Sequence, residues 1–187
     1  MSEAKVNVQT GQQVSPKPSY FQKWQGKTRL TAPVPSMTTV FWSFLGGFIG
    51  LLAISYLSLN AALFPLFAPF GASAVLLYGA PAAPFSQPRN LLGGHFISAT
   101  VGVIIFNILG ISFFSVALAV SLAISLMLLA RAVHPPAGAT ALLGVTASQG
   151  SFLWIFAPVL AGALVLLLVA LIINNLDAQR SYPEYWF

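Results

Sequence analysis

Between Leu30 and Leu176 the sequence carries formal charge at only two positions, Arg89 and Arg131. A soluble domain covers its surface with ionic groups and uses about 25% charged residues. Here the whole chain has 6% charged and 57% apolar residues, with a mean hydropathy of +0.84. The stretch therefore predicts an all-α polytopic membrane domain over residues 36–176. A polar basic tail, residues 1–35, precedes it, and a short aromatic tail, residues 177–187, follows.

The net charge of +5 comes mostly from the first tail, where Lys5, Lys17, Lys23, Lys27 and Arg29 oppose Glu3 alone. Cations flanking apolar spans set orientation and meet the anionic lipid bilayer, so no nucleic acid partner is expected. Tyr20, Phe21 and Trp24 interleave with Lys23 and Lys27, a pattern that fits a short interfacial helix in an otherwise disordered tail, with plain disorder throughout as the alternative. The chain has no cysteine, hence no disulfide framework and no sulfur metal site; neither cofactor nor metal is expected. No secretory signal is evident, because the first long apolar run starts near Val40.

Four apolar runs are long enough to span a bilayer, Val40–Leu59, Leu91–Leu109, Ile111–Leu129 and Phe152–Ile173. Two further segments, Ala61–Ala80 and His134–Ser148, are interrupted by prolines: Pro65 and Pro69 in one, Pro135 and Pro136 in the other. These two resemble each other. Pro69–Leu76 (PFGASAVL) matches Pro136–Leu143 (PAGATALL) at five of eight positions, with Ser73 opposite Thr140. The same offset of 67 residues pairs Asn107 with Asn174. An internal duplication follows, each half holding a helix, a Pro-started segment and a second helix. If all six segments cross and the N-terminal tail is cytoplasmic, Arg89, Arg131 and Arg180 fall on the cytoplasmic side; re-entrant segments would move Arg89 and Arg131 to the far side. Three crossings per half make an inverted repeat, an architecture that places substrate at the repeat interface.

Proline suits the first position of a helix, where its missing N–H has no partner to lose. Pro69 and Pro136 thus predict short helices of about 11 or 12 residues, roughly 17 Å long and half the hydrocarbon core. Their N-terminal amides and dipoles would make a small-anion site. Its residues are Gly71, Ala72 and Ser73 in one half, and Pro136, Gly138, Ala139 and Thr140 in the other, with Arg131 and His134 beside them. The same small residues also serve helix packing. Arg131 equally fits a helix end, bonded to carbonyls or lipid phosphate, and His134 equally fits a structural cap. His95, after Gly93-Gly94, is a further pathway candidate. Asn107 and Asn174 suit interhelical hydrogen bonds or the pathway. Gln87, Arg89 and Asn90 form either a solvated turn or an anion-gathering vestibule. Glu3, Asp177 and Glu184 all lie outside the apolar core. A histidine can take a proton near neutral pH, which leaves proton-coupled uptake open; without a buried carboxylate, facilitated anion passage is favoured over a cation pore or a dedicated proton relay.

The string Ala130–Leu142 (ARAVHPPAGATAL) resembles the motif that names the HPP family of integral membrane proteins. Pro69–Leu77 (PFGASAVLL), and Gln87-Pro88-Arg89-Asn90 followed by Gly93-Gly94-His95, are similar to the same family, and the resemblance covers roughly residues 36–176. It implies nitrite as the transported anion, as for members in cyanobacteria and chloroplasts; other members carry fused regulatory domains. The family's usual description has four spans, against six segments counted here. The expected home is a bacterial-type cytoplasmic membrane with a cytoplasmic N-terminus, with the chloroplast envelope as the alternative, and so small a chain is expected to form a homo-oligomer.

Two other classes compete. An intramembrane hydrolase would need Ser73 or Thr140 activated by His95 or His134, but GxSxG is absent and no Asp is placed to orient the histidine. A structural or assembly protein would use the GxxxG of Gly46 and Gly50, with Gly47, for close helix contact. It would have no use for Arg131 and a doubled Pro-started motif.

Overall fold

The computed structural model describes residues 19–24, 34–61 and 67–187. It separates the chain into two units, Met1–Pro35 and Ser36–Phe187. In the first, Gln22–Trp24 makes a 3-10 turn on which Tyr20, Phe21 and Trp24 are exposed, the Tyr20 ring edge-on to the other two. The interfacial helix expected there is seen only as this turn; Lys27 and the disordered stretches expected around it lie outside the described residues.

The second unit is helical, with no strand among the described residues. Helix α1, Met37–Ala61, opens behind Ser36, whose hydroxyl accepts the Thr39 amide at 3.1 Å and so satisfies one of the free first-turn donors. Helix α2, Phe67–Ala74, runs on into a π-type turn, Val75–Gly79. Pro69 therefore stands inside the first turn of α2 rather than opening it, a place where its missing N–H still breaks no bond. Helix α3, Pro88–Leu109, starts on its proline and stops at Gly110, whose φ of +64° ends the helix. Ser112 and Ser115 then cap each other reciprocally and set the start of α4, Phe113–Leu129, two residues later than the apolar run suggests. Helix α5, Ala137–Thr146, has 10 residues, and α6 is Ala161–Leu176.

The uninterrupted span expected over Phe152–Ile173 is broken. A π-type stretch, Ile155–Leu160, precedes α6, and within it Ala157 is extended (φ −129°, ψ 111°) ahead of Pro158. Proline inside a helix lacks a donor and its ring clashes with the carbonyl four residues back, so the helix yields at that point. By length and composition three helical runs can cross a bilayer, Met37–Leu57, Pro88–Leu109 and Ile155–Leu176; three others, Ala68–Gly79, Phe113–Leu129 and Ala137–Thr146, are apolar but shorter.

The outer faces are those of a protein solvated by lipid. On α1, Phe41, Phe44, Phe48 and Leu52 form an exposed stripe at helical spacing. The core lies instead where small residues let helices close up. Gly46 and Gly50 face the ring of Tyr78, whose hydroxyl donates to the Leu166 carbonyl at 3.1 Å. The GxxxG face of α1 is thus filled from within the chain. Gly162 of α6 takes the ring of Phe70, and Gly102 of α3 meets Gly144 of α5 backbone to backbone.

Hydrogen bonds gather the polar turns at one end. Arg180 donates to the carbonyls of Thr39 at 2.7 Å and Tyr78 at 3.1 Å. Arg89 donates to Ala130 at 2.9 Å, and the Tyr182 hydroxyl to the Ser86 carbonyl at 2.8 Å. The start of α1, residues 80–90, residues 130–134 and residues 177–187 therefore meet, while Asn107 ties to the Gly150 carbonyl at 3.0 Å, away from that meeting point. Six traversing segments would give this gathering and two re-entrant ones would part residues 177–187 from the other two turns, while by length only three of the helical runs can cross.

Candidate functional site: a buried histidine pair

The turn between α4 and α5 is built by an unusual helix end. The Ala132 amide bonds back to the Met127 carbonyl at 2.9 Å and the Arg131 amide to Leu128 at 3.1 Å. This stop needs a left-handed residue, normally glycine, and here Arg131 supplies it with φ +53°. Arg131 is exposed. Arg131→Gly removes about 1 kcal/mol of backbone strain, and thermal unfolding in detergent is expected to shift upward. A downward shift would mean that the Arg131 side chain holds the turn.

Beyond that stop the chain turns inward and carries His134 against α3. Gly94 makes the room, since a Cβ there would lie 2.6 Å from the Cβ of His134. The rings of His134 and His95 (α3) then stand 5.0 Å apart, centroid to centroid, with the Phe70 ring edge-on to His95 at 5.6 Å. Ser73 of α2 sits between the two imidazoles, its Oγ 3.1 Å from Nε2 of His95 and 2.8 Å from Nε2 of His134. Nδ1 of His95 reaches the Thr140 hydroxyl of α5 at 2.8 Å, and Nδ1 of His134 reaches the Phe85 carbonyl at 2.7 Å. All four side chains have zero exposure.

With both rings neutral, one assignment of protons satisfies this network. A carbonyl only accepts, so Nδ1 of His134 carries hydrogen and its Nε2 is an acceptor. Ser73 must donate to it, and in turn accepts from Nε2–H of His95. Nδ1 of His95 then accepts from Thr140. The Ser73 hydroxyl also lies 2.9 Å from the Pro69 carbonyl, so its single proton is shared. Every hydrogen bond in the chain points the same way, from Thr140 to Phe85.

The structure brings Ser73, His95, His134 and Thr140 together and leaves the other candidates elsewhere. The free helix N-terminus expected at Pro136 is closed: the amides of Ala137, Gly138 and Ala139 bond to the carbonyls of His134, Pro135 and Pro136 at 2.9, 3.1 and 3.1 Å. Tight turns at the helix start take up the donors an anion would need. A Cβ at Gly71 or Gly138 would meet nothing within 4 Å, so neither glycine is required by a close approach here. Ala72 is exposed, Ala139 half-buried and Pro136 buried.

Gln87 and Asn90 are buried, and their amides bond to the carbonyls of Pro81, Ala83 and Val133. With Arg89 on Ala130, all three are committed to holding turns. Asn107 and Asn174 act across helices, on Gly150 and Leu77.

Arg180 is a structural centre that the apolar pattern does not single out. Besides its two carbonyls it bonds Asn174 at 3.1 Å and Ser43 at 2.9 Å, and pairs with Asp177 at 3.3 Å. The signal for it is the Asp177/Arg180 pair spaced three apart. Nearby, burial pushes the Tyr182 phenol up, which keeps it a donor to Ser86.

Apolar helices carrying a closed polar cluster define a polytopic membrane protein. The model of the HPP transmembrane region matches residues 32–183, and the chain belongs to that family. Two relatives from Dictyostelium discoideum, each named only as a transmembrane protein, are 43% identical over 180 residues, covering 90% of this chain. The alignments cover 63% and 57% of those relatives, so the chain spans about three-fifths of their length. No solved structure matches.

Proposed function

We propose that the chain is a membrane transporter for a small inorganic anion, and that the anion passes through the cluster of Ser73, His95, His134 and Thr140. One observation carries the reading. Ser73 and Thr140, matched in the two repeated segments, bond to the two nitrogens of the same imidazole, His95. Repeat interfaces are where secondary transporters hold substrate. The duplication gains support from the offset of 67, which carries the run Pro88–Leu109 onto Ile155–Leu176. The halves also interlock, α3 packing on α5 and α6 on α1. An inverted repeat is the arrangement that suits both facts.

The hydroxyls and imidazoles bond to one another in an apolar surround, and once those bonds open to a ligand their donors favour an anion. Among the described residues the acids are Asp177 and Glu184, both outside the cluster. Nitrite is the substrate that the family resemblance names. A bacterial-type cytoplasmic membrane with an inward N-terminus, and a homo-oligomeric state, belong to the same proposal.

The test is nitrite uptake into proteoliposomes, with His95→Ala, His134→Ala and Arg131→Ala variants matched for folding. Uptake by the wild type that collapses in both histidine variants and persists in Arg131→Ala is the expected result. Uptake indifferent to both histidines would move the site elsewhere. No uptake of any small anion by intact protein would leave a structural or assembly role.

One contact favours a second reading. Ser73 and His134 are at the spacing of a nucleophile and its base, and the Phe85 carbonyl orients the base. Ser73 is wholly buried, and no labelling by a fluorophosphonate probe is expected; labelling lost in Ser73→Ala would establish the hydrolase.

A further inference from the structure

We propose that Thr140, His95, Ser73 and His134 form a proton relay, so that the transported anion moves together with a proton. The inference rests on the reading of the chain as an anion transporter. It begins from the direction of the network. Thr140 donates, His95, Ser73 and His134 each both donate and accept, and no link points backward. A proton delivered to the Thr140 hydroxyl lets that hydroxyl pass its own hydrogen to Nδ1 of His95. His95 passes Nε2–H to Ser73, and Ser73 passes its hydrogen to Nε2 of His134. Each step breaks one N–H or O–H bond and forms one, and the added charge ends on the His134 ring.

There the relay stops. Nδ1–H of His134 faces the Phe85 carbonyl at 2.7 Å, and a backbone carbonyl accepts but has no hydrogen to pass on. Release therefore requires residues 84–86 to withdraw. That short 3-10 turn is held from outside by Tyr182 on Ser86 at 2.8 Å and by the Glu184 amide on Gln87 at 2.8 Å. The relay runs inward from the buried Thr140 hydroxyl and is stoppered at the Phe85 carbonyl, and a stopper is what a coupled carrier needs: an open wire would let protons leak without substrate.

Among the described residues that bond or stack with the cluster, none carries a formal charge. The cluster meets Ser73 and Phe70 from α2, His95 from α3, Thr140 from α5, and the Phe85 carbonyl from the turn before α3. The nearest cations in sequence are otherwise placed, Arg89 on the Ala130 carbonyl and Arg131 exposed. Asp177 is paired with Arg180. Among the described residues an anion entering this site meets no fixed positive charge, and a proton on the relay would provide it.

The experiment uses proteoliposomes with equal nitrite on both sides and the membrane potential clamped by potassium and valinomycin. An alkaline interior is then imposed, and protein-free vesicles are subtracted to remove passage of nitrous acid through lipid. Downhill nitrite uptake is measured in the same preparation. The wild type is expected to accumulate nitrite against its gradient. Ser73→Ala cuts the link between the rings, and Thr140→Val cuts the entrance with little change in shape. In both, the ratio of pH-driven to downhill uptake is expected to fall to the background of empty vesicles. A ratio unchanged in both folded variants would overturn the relay. Downhill uptake without pH-driven accumulation in the wild type would overturn it while leaving the transporter standing. No nitrite movement of either kind by folded wild type would remove the relay and the transporter together.

Discussion

Arg180→Leu is expected to destabilise the chain by about 3–5 kcal/mol, the cost of breaking a buried ion pair from one side. Asp177 is 3% exposed, and its Oδ2 has no hydrogen bond, only the Arg180 Nε at 3.3 Å. Removing the guanidinium strands that charge. It also takes a donor each from the carbonyls of Thr39 and Tyr78, from Asn174 and from Ser43, groups on α1, α6 and the turn after α2. Chemical unfolding in detergent measures the loss. The pair Asp177→Leu/Arg180→Leu should recover part of it, because no charge is then left alone. If the double variant is no better than the single one, the stabilisation lies in the carbonyl bonds and not in the ion pair.

Gly102→Val is expected to cost about 1–3 kcal/mol or more by overpacking. A Cβ on Gly102 would stand 2.5 Å from the Ala141 carbonyl oxygen and 2.7 Å from the Gly144 Cα. Both are backbone atoms, so no side chain can turn aside, and α3 and α5 would have to part. His95 and Thr140 sit on these helices, so the same change should weaken their 2.8 Å contact. Gly47 is the control: a Cβ there meets nothing within 4 Å, and Gly47→Val should cost far less than Gly102→Val. Equal effects at Gly47 and Gly102 would mean that the loss is one of helix geometry common to glycines.

Much of this fold was legible because bilayer spanning imposes long apolar runs, and α1, α3 and α4 fall where those runs fall. The break before α6 was missed. Its signal, Pro158, stood in plain view, but the apolar run continues through it and hides a proline that changes only the backbone. The site was half legible. Ser73 and Thr140 declared themselves through the repeated segment, and His95 and His134 by being the only histidines. Their meeting is tertiary: it depends on Gly94 giving way to His134, and no local pattern states which residue a glycine makes room for. Arg131 drew attention for its charge, whereas its structural part is a left-handed backbone. Arg180 reads in the sequence as one of several flanking cations, and its burial becomes visible only once α1 and α6 are side by side.

The carbonyls of Phe85 and Ser86 belong to adjacent peptide units. One holds His134 and the other holds Tyr182. Rim and interior therefore share a single dipeptide, too short to absorb a movement of either partner without passing it on. On the proposed reading of the histidines as an anion site, any coupling carried by this dipeptide acts in both directions: what binds at the Tyr182 end and what binds at the histidines change each other's affinity by the same factor.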